Sequence, residues 1–441
     1  MSQSPMVNSF DPAGLGGLST AEAAMIARRQ KLLGPGYRLF YQHPVHVVRA
    51  EGVWLYGPDG TRYLDAYNNV PVIGHCHPAV VEALARQAAR LNTHTRYLDE
   101  SILDYAEALL ATFPSELDQV MFTCTGSEAN DLALRVAKVA TGGTGFIVTA
   151  NAYHGVTDAV SLLSPSLGAA VAPGPNVFSI AAPDPRSAGD QDLGVWFGAQ
   201  VEEALGRMRQ QNIRPAALIV DTIFSSDGVF AEPAGFLAPA AARIRRAGGL
   251  FIADEVQAGF GRTGDGLWGF QRHGLVPDLV TLGKPMGNGH PIAAMVARSE
   301  LLRDFGARSR YFNTFGGNTV SIAVAQTVLD VILRERLTEQ AQAVGTYFRS
   351  ELAGRARHEG RLGDVRGSGL FIGVEVVTPE EGRVPDPIAA SQIVNALRER
   401  SVLISASGPA GHVLKIRPPL PFGRAEVDIF LDAFDAVLRG D

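Results

Sequence analysis

The sequence predicts an α/β protein, a mostly parallel sheet covered by helices, joined to a smaller α+β unit. Three observations predict it. Short apolar runs recur at Gln119–Cys124, Gly145–Thr149, Ala217–Asp221, Leu250–Asp254 and Leu279–Gly283. Helical stretches such as Val195–Gln210 and Ala238–Ala247 lie between them, the alternation that helix-covered parallel sheets require. After a long helix, Ser321–Arg336, the pattern changes to helices mixed with short alternating strands.

Taken in order, the first 20 residues are rich in Ser, Gly and Pro and are expected to be loosely held. A helix follows over Thr20–Leu33. Trp54–Tyr56 and Arg62–Asp65 flank Pro58-Asp59-Gly60, the composition of a β-hairpin turn. Pro78 opens a helix, a position where a missing N–H costs nothing. Each apolar run of the central region is uninterrupted, as expected of strands buried on both faces. The tail supplies the strands Leu370–Val376, Val402–Ser405 and Val413–Ile416. The expected division is an N-terminal segment 1–75 belonging to the small domain, a large domain 76–336 and a C-terminal small domain 337–441.

Composition narrows the function. The 441 residues are 46% hydrophobic, ample for a large core. A formal net charge of −6 argues against a nucleic-acid or membrane-surface role. No run approaches the ~18 apolar residues of a membrane span. The N-terminus lacks the basic-then-apolar order of a secretory signal. Two cysteines, Cys76 and Cys124, suit a reducing compartment, so a cytoplasmic location is expected. His75-Cys76-His77 lacks two further ligands at suitable spacing and reads as no metal site.

The chemistry collects where the strands end. Ligands of open α/β sheets bind outside the carboxyl ends of the strands. The five predicted strands lead into Thr125-Gly126-Ser127, Tyr153-His154-Gly155, Asp221, Asp254-Glu255-Val256-Gln257 and Lys284. Lysine is rare here, four residues against 35 arginines, and Lys284 ends an apolar strand, where an amine tends to lose its proton and become nucleophilic. Gly126 and Ser127 open a helix, whose unpaired N–H groups and dipole favour an anion; an ordinary serine cap is the plainer alternative. Asp254 is expected to be buried and to need a cationic or hydrogen-bonding partner, either inside the protein or on a ligand. Gln257 lies within reach of the same ligand. Tyr153 offers a ring for stacking and His154 lies beside it, although both residue types also serve as plain packing. Phosphate cradle, aromatic platform, carboxylate and amine match the four features of pyridoxal phosphate: phosphate, ring, pyridine nitrogen and aldehyde.

These residues resemble the class III aminotransferases, pyridoxal-phosphate enzymes of fold type I, over about Val53 to Leu420. The segments that carry the resemblance are Thr125-Gly126-Ser127-Glu128-Ala129-Asn130, Ala152-Tyr153-His154-Gly155, the run Asp254 to Gly264, Gly283-Lys284-Pro285 and Asn313-Thr314-Phe315-Gly316-Gly317-Asn318. The resemblance implies that Lys284 carries pyridoxal 5'-phosphate, that Asp254 pairs with its pyridine nitrogen and that Gln257 contacts its ring oxygen. It implies that Gly126 and Ser127 hold the phosphate, that Tyr153 stacks on the ring, and that the 76–336 domain binds the cofactor. Thr314 would reach the neighbouring subunit's phosphate, which implies a homodimer with shared sites. Arg417 matches the family arginine that meets a substrate anion, and Arg96 is a further candidate for a phosphate. Within the family, Asn68-Asn69-Val70, Gly74-His75-Cys76-His77-Pro78, Gly283 to Pro291 and the run Asn313 to Asn318 look most like the ethanolamine-phosphate and phosphohydroxylysine phospho-lyases. Many class III transaminases carry Glu-Pro after the third strand; here it reads Asp221-Thr222. The expected activity is elimination of phosphate from a small amino-phosphate such as O-phosphoethanolamine. The alternatives are an ω-amine:2-oxo-acid transaminase and a non-catalytic regulator that binds pyridoxal phosphate.

Overall fold

The computed structural model describes residues 8–11, 18–380 and 382–440. Of the leading segment expected to be loose, 1–7 and 12–17 lie outside the described residues. Asn8 departs from that expectation: it is buried, accepts from the Tyr41 N–H at 2.8 Å and from Ser405 Oγ at 3.1 Å. A helix covers Thr20–Leu32, started by Ser19 in a capping box with Glu22.

The strands in chain order are β1 Arg49–Glu51, β2 Trp54–Tyr56, β3 Arg62–Asp65, β4 Gln119–Thr123, β5 Gly145–Thr149, β6 Val177–Ile180, β7 Pro215–Asp221 and β8 Leu250–Asp254. Then come β9 Leu279–Leu282, β10 Ala293–Ala297, β11 Leu362–Ser368, β12 Phe371–Val376, β13 Val402–Leu403, β14 Ser405–Ser407 and β15 Val413–Ile416. The central sheet has the order β4-β10-β9-β8-β7-β5-β6. From β9 to β6 all neighbours are parallel, while β10 runs antiparallel to both β4 and β9.

Successive side chains of these strands go to opposite faces, and both faces are covered. Phe146 and Val148 of β5, Ala217 and Ile219 of β7 and Ile252 of β8 pack with Leu132, Val136 and Phe305. Those partners belong to helices Gly126–Thr141 and Ser299–Arg308. Ile147, Leu218, Val220, Phe251 and Ala253 join the other core, with Phe197, Ile244 and Val328. Helices Leu193–Gln210, Ala238–Arg246 and Thr319–Arg334 supply those. The continuous apolar runs in the sequence are this two-sided burial.

Two long-range features organise the remainder. The hairpin β2–β3 is extended by β13, which pairs parallel to β3 with Val402 opposite Leu64. A second sheet, β11-β12-β15-β14, is antiparallel throughout. The single strand expected over Val402–Ser405 is thus divided at Ile404 between two sheets. The long helix ends at Arg334, two residues early, because Arg336 turns left-handed (φ 53°) before a further helix, Leu337–Ala356. No helix among the described residues is long and apolar enough to cross a membrane.

Candidate active site

Lys284 lies one residue beyond β9, after Gly283, and heads a short turn, Lys284–Gly287, closed by Asn288 in the left-handed region. Burial, with the positive charge of Arg417 added, pushes its ammonium down to about 8; Asp254 and Asp221 pull the other way. An amine in that range is free to act as nucleophile or base near neutral pH.

Asp254 ends β8 and is buried. Three donors fix its carboxylate. The Val256 N–H reaches Oδ1 at 3.1 Å; Asn130 Nδ2 and His154 Nδ1 reach Oδ2 at 3.0 and 2.7 Å. Asn130 also donates to the His154 carbonyl (2.7 Å) and accepts from Thr281 Oγ1 (2.7 Å), so one amide ties the helix after β4 to β8 and β9. His154 Nε2 is buried and has no hydrogen bond.

Thr125 caps the helix Gly126–Thr141, and Glu128 reaches back to the N–H groups of Cys124 (2.8 Å) and Thr125 (3.0 Å). That leaves the N–H groups of Gly126 and Ser127, at the positive end of a 16-residue helix, as the anion cradle. Glycine is needed here. A Cβ on Gly126 would lie 3.0 Å from Val256 Cγ2, and one on Gly155, at φ +141°, would lie 2.4 Å from Ser127 Oγ. Ser127 Oγ accepts from the Val156 N–H at 3.1 Å, which docks the strand-end loop of Tyr153 against the cradle. Tyr153 is half-buried; burial, then the charge of Asp254, raises its phenol.

Gln257 Oε1 accepts from Arg417 Nη1 at 2.6 Å and from Asn69 Nδ2 at 3.0 Å. Arg417 is buried, its guanidinium 4.6 Å from the Tyr67 ring centroid, and its Nε has no partner. It makes no ion pair among the described residues. Tyr67 and Asn69 are presented by a loop closed at its ends by Asp65 and His75, 2.7 Å apart.

Thr314 and Arg96 lie elsewhere. Both are exposed, and Arg96 stacks 3.8 Å over Phe312 without meeting Arg417. Asn130 is a site residue not expected from the sequence; its signal there is its place one helical turn beyond Ser127. Lys415 is another, since alternation along a strand puts Lys415 and Arg417 on one face.

The residues fit pyridoxal 5'-phosphate: a helix-end cradle for its phosphate, a fixed carboxylate, and a lysine of depressed pKa all meet at the strand ends. Fold and site together define a pyridoxal-phosphate-dependent enzyme of fold type I. A family model of class III aminotransferases matches residues 39–438, and the chain belongs to that family. A solved phospholyase from Arthrobacter, in complex with phosphoethanolamine, is 42% identical with a TM-score of 0.91, the match covering 94% of this chain and 99% of that one. The alanine–glyoxylate aminotransferase 2-like protein of Drosophila melanogaster is 39% identical over 93% of this chain and 85% of its own length. The ethanolamine-phosphate phospho-lyase homolog 1 of Caenorhabditis elegans is 36% identical over 94% and 93%.

Proposed function

We propose that the enzyme is a phospho-lyase, converting a small amino-phosphate such as O-phosphoethanolamine into an aldehyde, ammonia and phosphate. The observation that carries this reading is the state of Arg417. An ω-amine transaminase must admit an amine without an anion and then a 2-oxo acid with one, so its arginine needs a carboxylate to mask it in alternate half-reactions. Asp221, at the strand end where such a carboxylate would stand, is turned into its own loop. It accepts from the N–H groups of Ile223 (3.2 Å) and Ser225 (2.9 Å). Arg417 stays unmasked, suited to a substrate that always carries an anion. The Arthrobacter and Caenorhabditis relatives support the same reading; the Drosophila relative keeps the transaminase as the second one.

The cofactor supplies an electron sink for a carbanion beside the substrate nitrogen. Asp254, its carboxylate fixed by three donors, would keep the cofactor's ring nitrogen protonated. Gly126 and Ser127 would anchor its phosphate, and Tyr153 would cover its ring. The amine of Lys284, its pKa lowered by burial, would act as the general base that takes the proton from the carbon bearing nitrogen. Arg417 holds the substrate's anion, so that the bond to the leaving oxygen sits beside the carbon being deprotonated.

We also propose a homodimer with shared sites, Thr314 reaching the other copy's cofactor phosphate. The apolar residues around it support this, Tyr97, Leu98 and Phe315 being 66%, 102% and 69% exposed. The three-sheet arrangement supports the division at residues 75 and 336, and two unpaired cysteines support a cytoplasmic location.

Incubation with O-phosphoethanolamine and no oxo acid tests the activity. Release of phosphate and acetaldehyde is expected; amine consumption only when pyruvate is supplied would show a transaminase instead.

A further inference from the structure

We propose that Lys415 and Arg417 form a two-cation subsite for the phosphate monoester of the substrate, separate from the cradle that takes the cofactor's phosphate. This rests on the phospho-lyase reading and names the group that accompanies Arg417.

Lys415 lies in β15, opposite Gly373 of β12 and Ser405 of β14. Residues two apart on a strand share a face, so Lys415 looks the same way as Arg417, just past the strand end. Where that face looks is shown by Arg417 itself, whose Nη1 meets Gln257 three residues after Asp254. Of these two neighbours Gly373 adds no side chain, and Ser405 commits its hydroxyl to Asn8 Oδ1. A Cβ on Gly373 would lie 3.1 Å from Val229, in the loop that follows Asp221. Ser407 Oγ, on β14, donates to the Ser225 carbonyl at 2.7 Å and fixes the same sheet to that loop.

The Lys415 side chain makes no hydrogen bond and no ion pair among the described residues. The charges acting on its ammonium are those of Arg417, Asp221 and Lys284. Burial, with Arg417 next, holds that ammonium well below the usual lysine range. Two basic side chains share one face, Arg417 buried and Lys415 half-buried, and the nearby carboxylates are committed elsewhere. Asp221 is satisfied by its own loop, Asp254 by Asn130 and His154, and Glu375 of β12 by Arg186 and His412. A carboxylate ligand would bring one negative charge. A phosphate monoester brings nearly two and three acceptor oxygens, which matches both cations.

The test uses the pyridoxal-phosphate-loaded enzyme, in which the cofactor cradle is filled, and inorganic phosphate as probe. Phosphate is expected to raise the melting temperature of the wild type and to compete with O-phosphoethanolamine. Lys415→Met should weaken phosphate binding by about tenfold or more, the worth of a charge-assisted hydrogen bond, while keeping the near-visible cofactor band. Lys415→Arg, which keeps the charge, should retain binding within about threefold of wild type by the same reasoning. Undiminished phosphate binding by a Lys415→Met enzyme with an intact cofactor band would overturn the proposal, as would a loaded wild type that binds no phosphate. Loss of phosphate binding in Lys415→Met without any phosphate release from O-phosphoethanolamine by the wild type would sustain the subsite and sink the lyase reading alone.

Discussion

Lys284 is unusual among the residues of this chain because its usefulness and its cost have one origin. Removing the amine from water, beside the positive Arg417, lowers its pKa from 10.5 to about 8. Between those values the unfolded chain binds a proton that the cofactor-free folded protein does not, so stability rises with pH across that window. Below about pH 8 the full penalty applies, on the order of 3 kcal/mol. Lys284→Met in the cofactor-free protein should therefore raise unfolding stability at pH 7 by up to that amount, and the gain should shrink towards pH 10.5. Denaturant melts at three pH values check this; a gain that stays constant with pH would contradict it. Lys284 and Asp254 were legible because rare or charged residues at the ends of apolar runs have few structural explanations. Lys415 sits in a run just as apolar, but its meaning comes from the face it shares with Arg417 and from the sheet that turns that face inward.

At the scale of elements, the cradle depends on how closely a helix and two loops approach. Gly155 brings the Tyr153 loop against Ser127 where no Cβ fits. Gly155→Ala combines a steric clash with an unfavourable φ, so a loss of about 1–3 kcal/mol is expected, with cofactor affinity falling at least as far. Equilibrium dialysis of pyridoxal phosphate and a thermal melt check both; an alanine variant with unchanged affinity would show that the approach is not needed. Most elements were readable from periodicity. Two strands of the central sheet were not. β10 reads Ala-Ala-Met-Val-Ala, a composition with little strand preference, and becomes a strand because β4 and β9 flank it. β6 has only four residues and lies at the sheet edge. Their absence from the sequence reading left the site intact, because neither contributes a named site residue.

On the scale of the whole molecule, the site draws on distant parts of the chain. Asn69, Gln257 and Arg417 meet across 188 and 160 residues of sequence. The ion pair Arg186–Glu375 (2.9 Å) joins the region after β6 to β12. Motifs reveal each strand end but not which ends converge, and the Gln257–Arg417 contact was legible only in three dimensions. The exposed patch around Thr314 is the largest-scale feature that asks for a partner. Phe315→Glu should shift the proposed dimer towards monomer in sedimentation and weaken cofactor binding along with it. A variant that becomes monomeric yet keeps full cofactor affinity would show that the sites are not shared.

Everything in the proposed chemistry requires one covalent attachment, that of the cofactor aldehyde to the amine following β9. Reduction of the folded, cofactor-loaded protein with borohydride, then digestion and mass spectrometry, measures it directly. The expected result is a single pyridoxyl-tagged peptide carrying the tag on Lys284. A tag on Lys31, Lys138 or Lys415, or no tag on a loaded protein, would contradict it.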